Sequence, residues 1–377
     1  MPTGPRIGVL TNPNSGKNRK RHPTDPKGRL RELEAAAGPL AIVRQTTELL
    51  QLRDVVAELF DRGCDYWVCD GGDGTLHWLL ATALEVARER EGLAPGDPTL
   101  SELPKIVPAN GGSIDFVAHK AGVRGECAEL VSALAAQLER GIEPPHVEID
   151  TFRVVGQLAE PGPGQPEVLD RVGFAIALGG VSQRFFEKLY AMGRVEPHKI
   201  AMVLGNAVGS FTMGNTFGRT PLPKLLPDPL RKLPWLSPEF ADDLFAPTRA
   251  RVTIDGEPLS YDSFAALHIG SIDINLGGVV RTFRHAATPG TLHAQAISMS
   301  PLGVTANLPN IVLGTPIWGK KVFDAPARSL TAEAYGDELL DPVIDGEMFF
   351  GVSRVEVTLG PVLAVPLVRT SHRRAAA

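Results

Sequence analysis

"VCDGGDGTLHW", residues 68–78, runs an apolar segment straight into Gly-Gly-Asp-Gly-Thr and then restarts an apolar pattern. The glycines stand where a strand ends and a helix begins, the position at which open parallel sheets bind ligands. Glycine lets backbone N–H groups approach an anionic oxygen closely, and the following helix adds the positive end of its dipole. Asp73 is the odd member, because a carboxylate repels phosphate unless a cation stands between them or a hydroxyl waits there to lose its proton. A tight turn capped by Asp73 and Thr75 is the structural alternative.

Outward from this turn, strands and helices alternate. "RIGVL" (6–10), "LAIVRQ" (40–45), "DYWVCD" (65–70) and "KIVPA" (105–109) read as buried strands. Between them Leu49, Leu52, Val55, Val56, Leu59 and Phe60 fall at helical spacing, as do Leu76, Leu79, Leu80, Ala83, Leu84 and Ala87. The alternation predicts an α/β fold whose N-terminal domain, residues 1–145, is a doubly wound parallel sheet covered on both faces.

From residue 146 to 377 the pattern changes to strand-like runs such as "VEIDTFRVV", "RVGFAIALGG", "FAALHIG", "LHAQAISM" and "SRVEVTLG", which predict a mainly antiparallel, β-rich second domain. "AEPGPGQPE" (159–167) reads as a hairpin tip. An insertion at about 181–247 interrupts this domain: 181–217 look helical, and 221–247 carry seven prolines among leucines, Trp235 and phenylalanines. Proline at that density excludes a continuous helix. The segment reads as an apolar loop packed on the domain or as a membrane-docking lid.

With 377 residues, two domains are the default expectation. The net charge of -5 argues against a nucleic-acid partner. Cys64, Cys69 and Cys127 make neither a disulfide framework nor a zinc spacing, which suggests a reducing compartment. The N-terminus does not read as a signal peptide, and no run approaches the roughly 18 apolar residues of a membrane span, so membrane contact is expected to be peripheral. Seven lysines and arginines between Lys17 and Arg31 face one acid, Asp25. That run reads as a solvated loop and first helical turn, or as a contact with an anionic membrane.

Two further turns leave neighbouring strand ends. "LTNPNSGKNRKR" (10–21) places Asn12, Ser15, Gly16 and Lys17 after the first strand, without the spacing of a Walker loop. "PANGGSIDF" (108–116) places Gly111, Gly112 and Ser113 after the fourth. Three such turns converge on one crevice.

Taken together, Asn-Pro-x-Ser-Gly-Lys, Gly-Gly-Asp-Gly-Thr and the glycine turn ending in Asp-Phe resemble the diacylglycerol kinase catalytic-domain family, which includes bacterial lipid kinases, sphingosine kinases and ceramide kinases and is distantly related to NAD kinases. "VIDGEMF" (343–349) is similar to the family's late Asp-Gly-Glu turn. The resemblance implies an ATP- and Mg2+-dependent lipid kinase, cytoplasmic and peripherally associated with the inner face of the membrane that holds its lipid substrate. Asn12, Ser15, Gly16, Lys17, Thr47, Gly71, Gly72, Gly74 and Thr75 would contact the nucleotide. Gly111, Gly112 and Ser113 would line its site, Glu347 would complete it, and Asp73 would serve the metal or the acceptor hydroxyl. Positioning and charge neutralisation supply most of phosphoryl-transfer catalysis, which suits such a set.

The pattern departs from the family in two places. Where the family has Gly-Thr-x-Asn-Asp-Phe, this chain has Gly111-Gly112-Ser113-Ile114-Asp115-Phe116. Where bacterial relatives have Asp-Asp-Gly with a proposed general base, it has Thr288-Pro289-Gly290. Asp73 itself could activate the hydroxyl, Asp273, His285 or His293 could supply a base, or catalysis could be lost, leaving a nucleotide or lipid sensor. NAD kinase is the alternative enzyme, against which stands the lack of a clear Asn-Glu turn. Homodimer formation through exposed strands stays open.

Overall fold

The computed structural model describes residues 6–22, 24–25, 27–112, 114–161, 167–193, 197–210, 212, 227, 233–276 and 280–370. They form two compact units. The first comprises residues up to Arg153, Asp170–Gly173 and the chain from Gly360 onward, and the second Val154–Leu169 and Phe174–Leu359.

In the first unit, β1 (Ile7–Thr11), β2 (Ala41–Gln45), β3 (Tyr66–Gly71) and β4 (Lys105–Asn110) make a parallel sheet in the order β2-β1-β3-β4. Helices α1 (Asn18–Arg21), α2 (Gly28–Ala37), α3 (Leu49–Asp61), α4 (Asp73–Arg90), α5 (Phe116–Ala121) and α6 (Cys127–Glu139) connect and cover it. Leu52, Val56 and Leu59 line the buried stripe of α3. Leu59 sits over Gly8 of β1, where an added Cβ would lie 2.6 Å from its methyl, so the glycine lets α3 lie close to the sheet. Phe60 of α3 meets Trp67 of β3 edge-on on that face. On the opposite face Arg29 of α2 reaches Asp70 of β3. Burial of side chains such as Leu59, Leu79, Leu80 and Val107 stabilises the unit by roughly 1.5–3 kcal/mol each.

The chain beyond residue 146 does not stay in one unit. "VEIDTFRVV" forms two strands, and the first, β5 (His146–Ile149), pairs antiparallel with Leu363–Pro366. That late strand also packs on β4, so the expected boundaries of 1–145 and 146–377 miss the return of the C-terminal segment to the first unit. Asp170–Gly173 belong there for an electrostatic reason. Arg153 grips both Asp170 oxygens (Nε to Oδ1 2.8 Å, a terminal nitrogen to Oδ2 2.5 Å), and the Gly96 N–H donates to the same carboxylate at 3.0 Å.

The second unit is β-rich with mainly antiparallel pairing, as expected. One sheet runs Glu257–Pro258, Thr248–Ile254, Ser329–Ala334, Val352–Leu359 and then the second-unit residues, 154–158 and 168–169, of the strands Phe152–Leu158 and Val168–Gly173, with Ser263–Phe264 beside Thr248–Ile254. The other runs Val322–Ala327, Leu292–Ile297, Ala266–Gly270, Ala175–Gly180, Val343–Ile344, Glu347–Met348. In Val352–Leu359 the apolar Val355 and Val357 are buried while Glu356 between them is exposed, the period of a strand with one solvated face. Helices α7 (Val181–Ala191) and α8 (Pro197–Gly209) lie in the stretch 181–217 expected to be helical, of which residues 194–196, 211 and 213–217 lie outside the described residues. Much of the proline-rich segment lies outside the described residues. Its described end forms the helix Pro238–Leu244, with Ala241, Leu244 and Phe245 buried against Ala207, Ala265 and Val304. Among the described residues no helix is long and apolar enough to cross a membrane.

Candidate functional site

The turns after β1, β3 and β4 are joined to one another in the first unit. Asn12 donates from its backbone N–H to the Asp70 carbonyl at 3.0 Å and from Nδ2 to Thr75 Oγ1 at 3.1 Å. Its Oδ1 accepts from the Asn14 N–H at 2.9 Å, and the Ser15 hydroxyl donates back to its carbonyl at 3.0 Å. Lys17 donates from its backbone to the Gly111 carbonyl at 3.0 Å, and its ammonium reaches the Asn110 carbonyl at 3.0 Å and Asp115 Oδ2 at 2.8 Å. The Gly111 N–H donates to the Gly71 carbonyl at 3.1 Å. Ser113 lies outside the described residues.

Glycine is required at these crossings by space rather than by turn geometry. A Cβ on Gly112 would lie 2.4 Å from the Gly72 Cα, and one on Gly111 would lie 2.9 Å from the Gly71 carbonyl oxygen. A Cβ on Gly71 would meet Thr75 at 2.4 Å. The departure at Gly112 therefore has a local cause, since two backbones pass there in contact. Asp115 holds the turn from a left-handed conformation, φ 54°, with Oδ1 accepting the Gly112 N–H at 2.8 Å.

Asp73 is the first residue of α4, a helix of 18 residues whose N-terminus has Gly72 as its cap and no side-chain cap hydrogen bond. First-turn amides of such a helix, backed by its dipole, suit an anion. Burial, and after it the negative charges of Asp70, Asp115 and Asp73, holds the Cys69 thiol far above its ordinary pKa. Three carboxylates thus gather at this strand end. Asp115 is neutralised by Lys17, and Asp70 by Arg29 through Nε to Oδ2 and a terminal nitrogen to Oδ1, both 2.8 Å. Thr11 Oγ1 (2.7 Å) and Asn18 Nδ2 (3.0 Å) also donate to Asp70 Oδ2. Burial opposes the charge of Arg29, but the hydrogen bonds and field of Asp70 outweigh it and raise its pKa.

The basic run is therefore not uniformly solvated. Arg29 is only 1% exposed and Asn18 is buried, while Arg31 pairs with Asp25 and Arg21 with Glu126. Arg29, Asp70, Asn18 and Asp115 were missed as site residues. The Asp-Phe motif was a usable signal for Asp115, and nothing local marks the others. Thr47 is exposed just past β2, adjacent to Thr46, whose N–H donates to Thr11. Glu347 is half-buried in the second unit, in the hairpin Val343–Ile344/Glu347–Met348. There Asp345 accepts the N–H groups of Phe174 and Ala175 at 2.9 Å, and the Tyr190 hydroxyl donates to the Gly346 carbonyl. Among the described residues no group of three or more His, Cys, Asp and Glu is arranged to hold a metal ion.

The three candidate bases near residue 288 differ sharply. Asp273 is held by Arg281 at 2.6 and 3.1 Å. His293 is fully buried with Nε2 2.8 Å from Asp324. His285 is half-buried and meets His293 edge-on at 4.7 Å. Behind them runs a hydrogen-bonded chain. Gln295 Nε2 donates to Asp324 Oδ1 at 2.8 Å, which leaves its Oε1 to accept from His268 Nε2. His268 Nδ1 then accepts from the Ser182 hydroxyl at 2.6 Å, a tautomer fixed by the network. Burial pushes the His268 pKa down to about 4, consistent with a neutral ring.

Residues 6–144 match the family model of the diacylglycerol kinase catalytic domain. This segment is diacylglycerol-kinase-like. The match spans all three turns and Asp73. No curated protein matches the chain. Among solved structures, a diacylglycerol kinase from Bacillus anthracis str. Sterne aligns with a TM-score of 0.53 at 14% identity, covering 99% of both chains. A further structure from the same strain aligns with a TM-score of 0.55 at 13% identity, covering 99% of this chain and 100% of that one. At these identities the likeness establishes the diacylglycerol-kinase-like fold alone.

Proposed function

We propose that the protein is an ATP- and Mg2+-dependent lipid kinase that transfers the γ-phosphoryl group to a hydroxyl of a diacylglycerol, a sphingoid base or a ceramide. One observation carries this reading: three glycine-bearing turns, bonded to one another, meet at the N-terminus of α4 with Asp73 at its first position. The donor set fits a triphosphate. Glycines at 71, 72, 111 and 112 keep the turns bare of side chains, and the amides and dipole at the N-terminus of α4 would favour an anion bound there. Asn12, Ser15, Gly16, Lys17, Gly74 and Thr75 would flank the phosphates. Asp73 would hold Mg2+ together with phosphate oxygens, and the ion would neutralise charge developing on the transferred group. Asp73 also receives or orients the proton of the acceptor hydroxyl.

A lipid acceptor is favoured by a cavity of about 680 Å³ in the second unit, whose wall combines apolar Ala241, Phe245, Ala265 and Met299 with serines and the opposite charges of Asp242 and Lys321. The working site would be peripheral, at the inner face of a membrane. The test is labelled ATP with Mg2+ and a panel of diacylglycerol, sphingoid base, ceramide and NAD. Transfer to a lipid, with turnover in Asp73→Asn reduced at least about a hundredfold, is expected. NADP formation, or transfer to no lipid, overturns the reading.

A further inference from the structure

Strands Leu292–Ile297 and Val322–Ala327 pair antiparallel, so residues 298–321 form one elaborated hairpin connection, closed at its base by the Ser298 N–H donating to the Lys321 carbonyl at 2.9 Å. Two short helices, Pro301–Ala306 and Leu308–Leu313, build it. On this excursion Leu302 and Leu313 are each 66% exposed and Trp318 is 75% exposed. Large apolar side chains held in water on one excursion mark a surface that meets something apolar.

The exposure is built in. Asn307 donates from Nδ2 to the Trp318 carbonyl at 3.1 Å and accepts the Trp318 N–H on Oδ1 at 2.9 Å, so the backbone beneath the indole is clamped on both sides. The Ile317 N–H is anchored on Asp324 Oδ2 at 3.0 Å. A Cβ on Gly319 would lie 2.6 Å from Val322, so the chain turns tightly past the tryptophan. Charge selects the partner. Residues 298–321 contain no aspartate or glutamate and end in Lys320 and Lys321, both exposed, in a chain of net charge -5. A tryptophan with leucines beside lysines, and with no acid between them, is the chemistry of a segment seated in the headgroup layer of an anionic bilayer. Met299, Ser300, Pro301 and Lys321, at the base of the same excursion, line the 680 Å³ cavity.

We infer that the 298–321 hairpin is the membrane-docking element of this protein, with Trp318, Leu302 and Leu313 entering the interface of a bilayer that carries anionic phospholipid. The inference rests on the lipid-kinase reading for its choice of a lipid surface over another apolar partner.

The experiment is co-sedimentation of the full chain with phosphatidylcholine vesicles, with and without phosphatidylglycerol, alongside transfer to a water-soluble short-chain acceptor. Trp318→Ala combined with Leu302→Ala should lower vesicle partitioning by about tenfold or more, with an unchanged circular dichroism spectrum because both side chains project into solvent. Lys320→Glu with Lys321→Glu should lower partitioning only on phosphatidylglycerol vesicles. Wild-type partitioning in both variants overturns the inference. So does a Trp318-dependent dimer seen by light scattering without vesicle binding. Vesicle binding that needs Trp318, with no phosphoryl transfer to any lipid, overturns the kinase reading and leaves the docking surface standing.

Discussion

Arg29 and Asp70, 41 residues apart in the chain, close on one another through two 2.8 Å hydrogen bonds in a place water does not reach. Asp70 directly precedes Gly71, so the pair fixes the strand end from which the glycine turn departs. Removing one partner leaves a buried charge unmatched, at a cost of about 3–5 kcal/mol. Arg29→Met should therefore lower unfolding free energy by that order in urea titration. Arg31→Met, whose partner Asp25 is solvent-exposed, should change it by less than about 1 kcal/mol.

Gly112→Ala should disrupt the site by a different route. The new methyl would sit 2.4 Å from the Gly72 Cα, against backbone that has no rotamer to yield. A loss of about 1–3 kcal/mol in stability is expected from overpacking, together with weaker nucleotide binding in isothermal titration. Gly38→Ala is a control for the strain of a positive φ alone, since nothing lies within 4 Å of its added Cβ.

Acid should loosen the second unit through His268. Its folded pKa is about 4, below the 6.5 of an unstrained imidazole, so between these values the unfolded chain binds the extra proton. The stability is fully present above pH 6.5 and is lost as pH falls toward 4, by an amount on the order of 2–3 kcal/mol. His285 is shifted in the same direction by burial and by His293. Thermal melts at pH 7 and pH 5 should show a smaller drop for His268→Gln than for the wild type.

Thiol chemistry offers a simple check on the packing. Cys64, Cys69 and Cys127 are buried and form no disulfide, and burial pushes the Cys64 thiol up to about 11 and the other two upward as well. Thiolate is the reactive form. A colorimetric disulfide reagent should label none of the three in the native protein and all three in denaturant.

Periodicity made the parallel sheet and its helices legible, because a strand buried on both faces and a helix with one apolar stripe write different repeats. The glycine turn was legible for the same reason, lying where one repeat hands over to the other. The Arg29–Asp70 and Lys17–Asp115 pairs were not, since their partners are set by strand order rather than by spacing. The lysines and arginines of 17–31 look alike in sequence, yet one is a core residue and its neighbours are solvated. The strands Val322–Ala327, Ser329–Ala334 and Leu363–Pro366 also escaped notice. Val322–Ala327 carries a proline and mixed polarity, and Leu363–Pro366 is only four residues long.

The pairing of His146–Ile149 with Leu363–Pro366 bears on how the polypeptide acquires its shape during synthesis. More than 200 residues must leave the ribosome between the two strands, so the first unit waits with an unsealed border while the β-rich unit is made. An interval of that kind is when a holdase chaperone would be most useful to this protein.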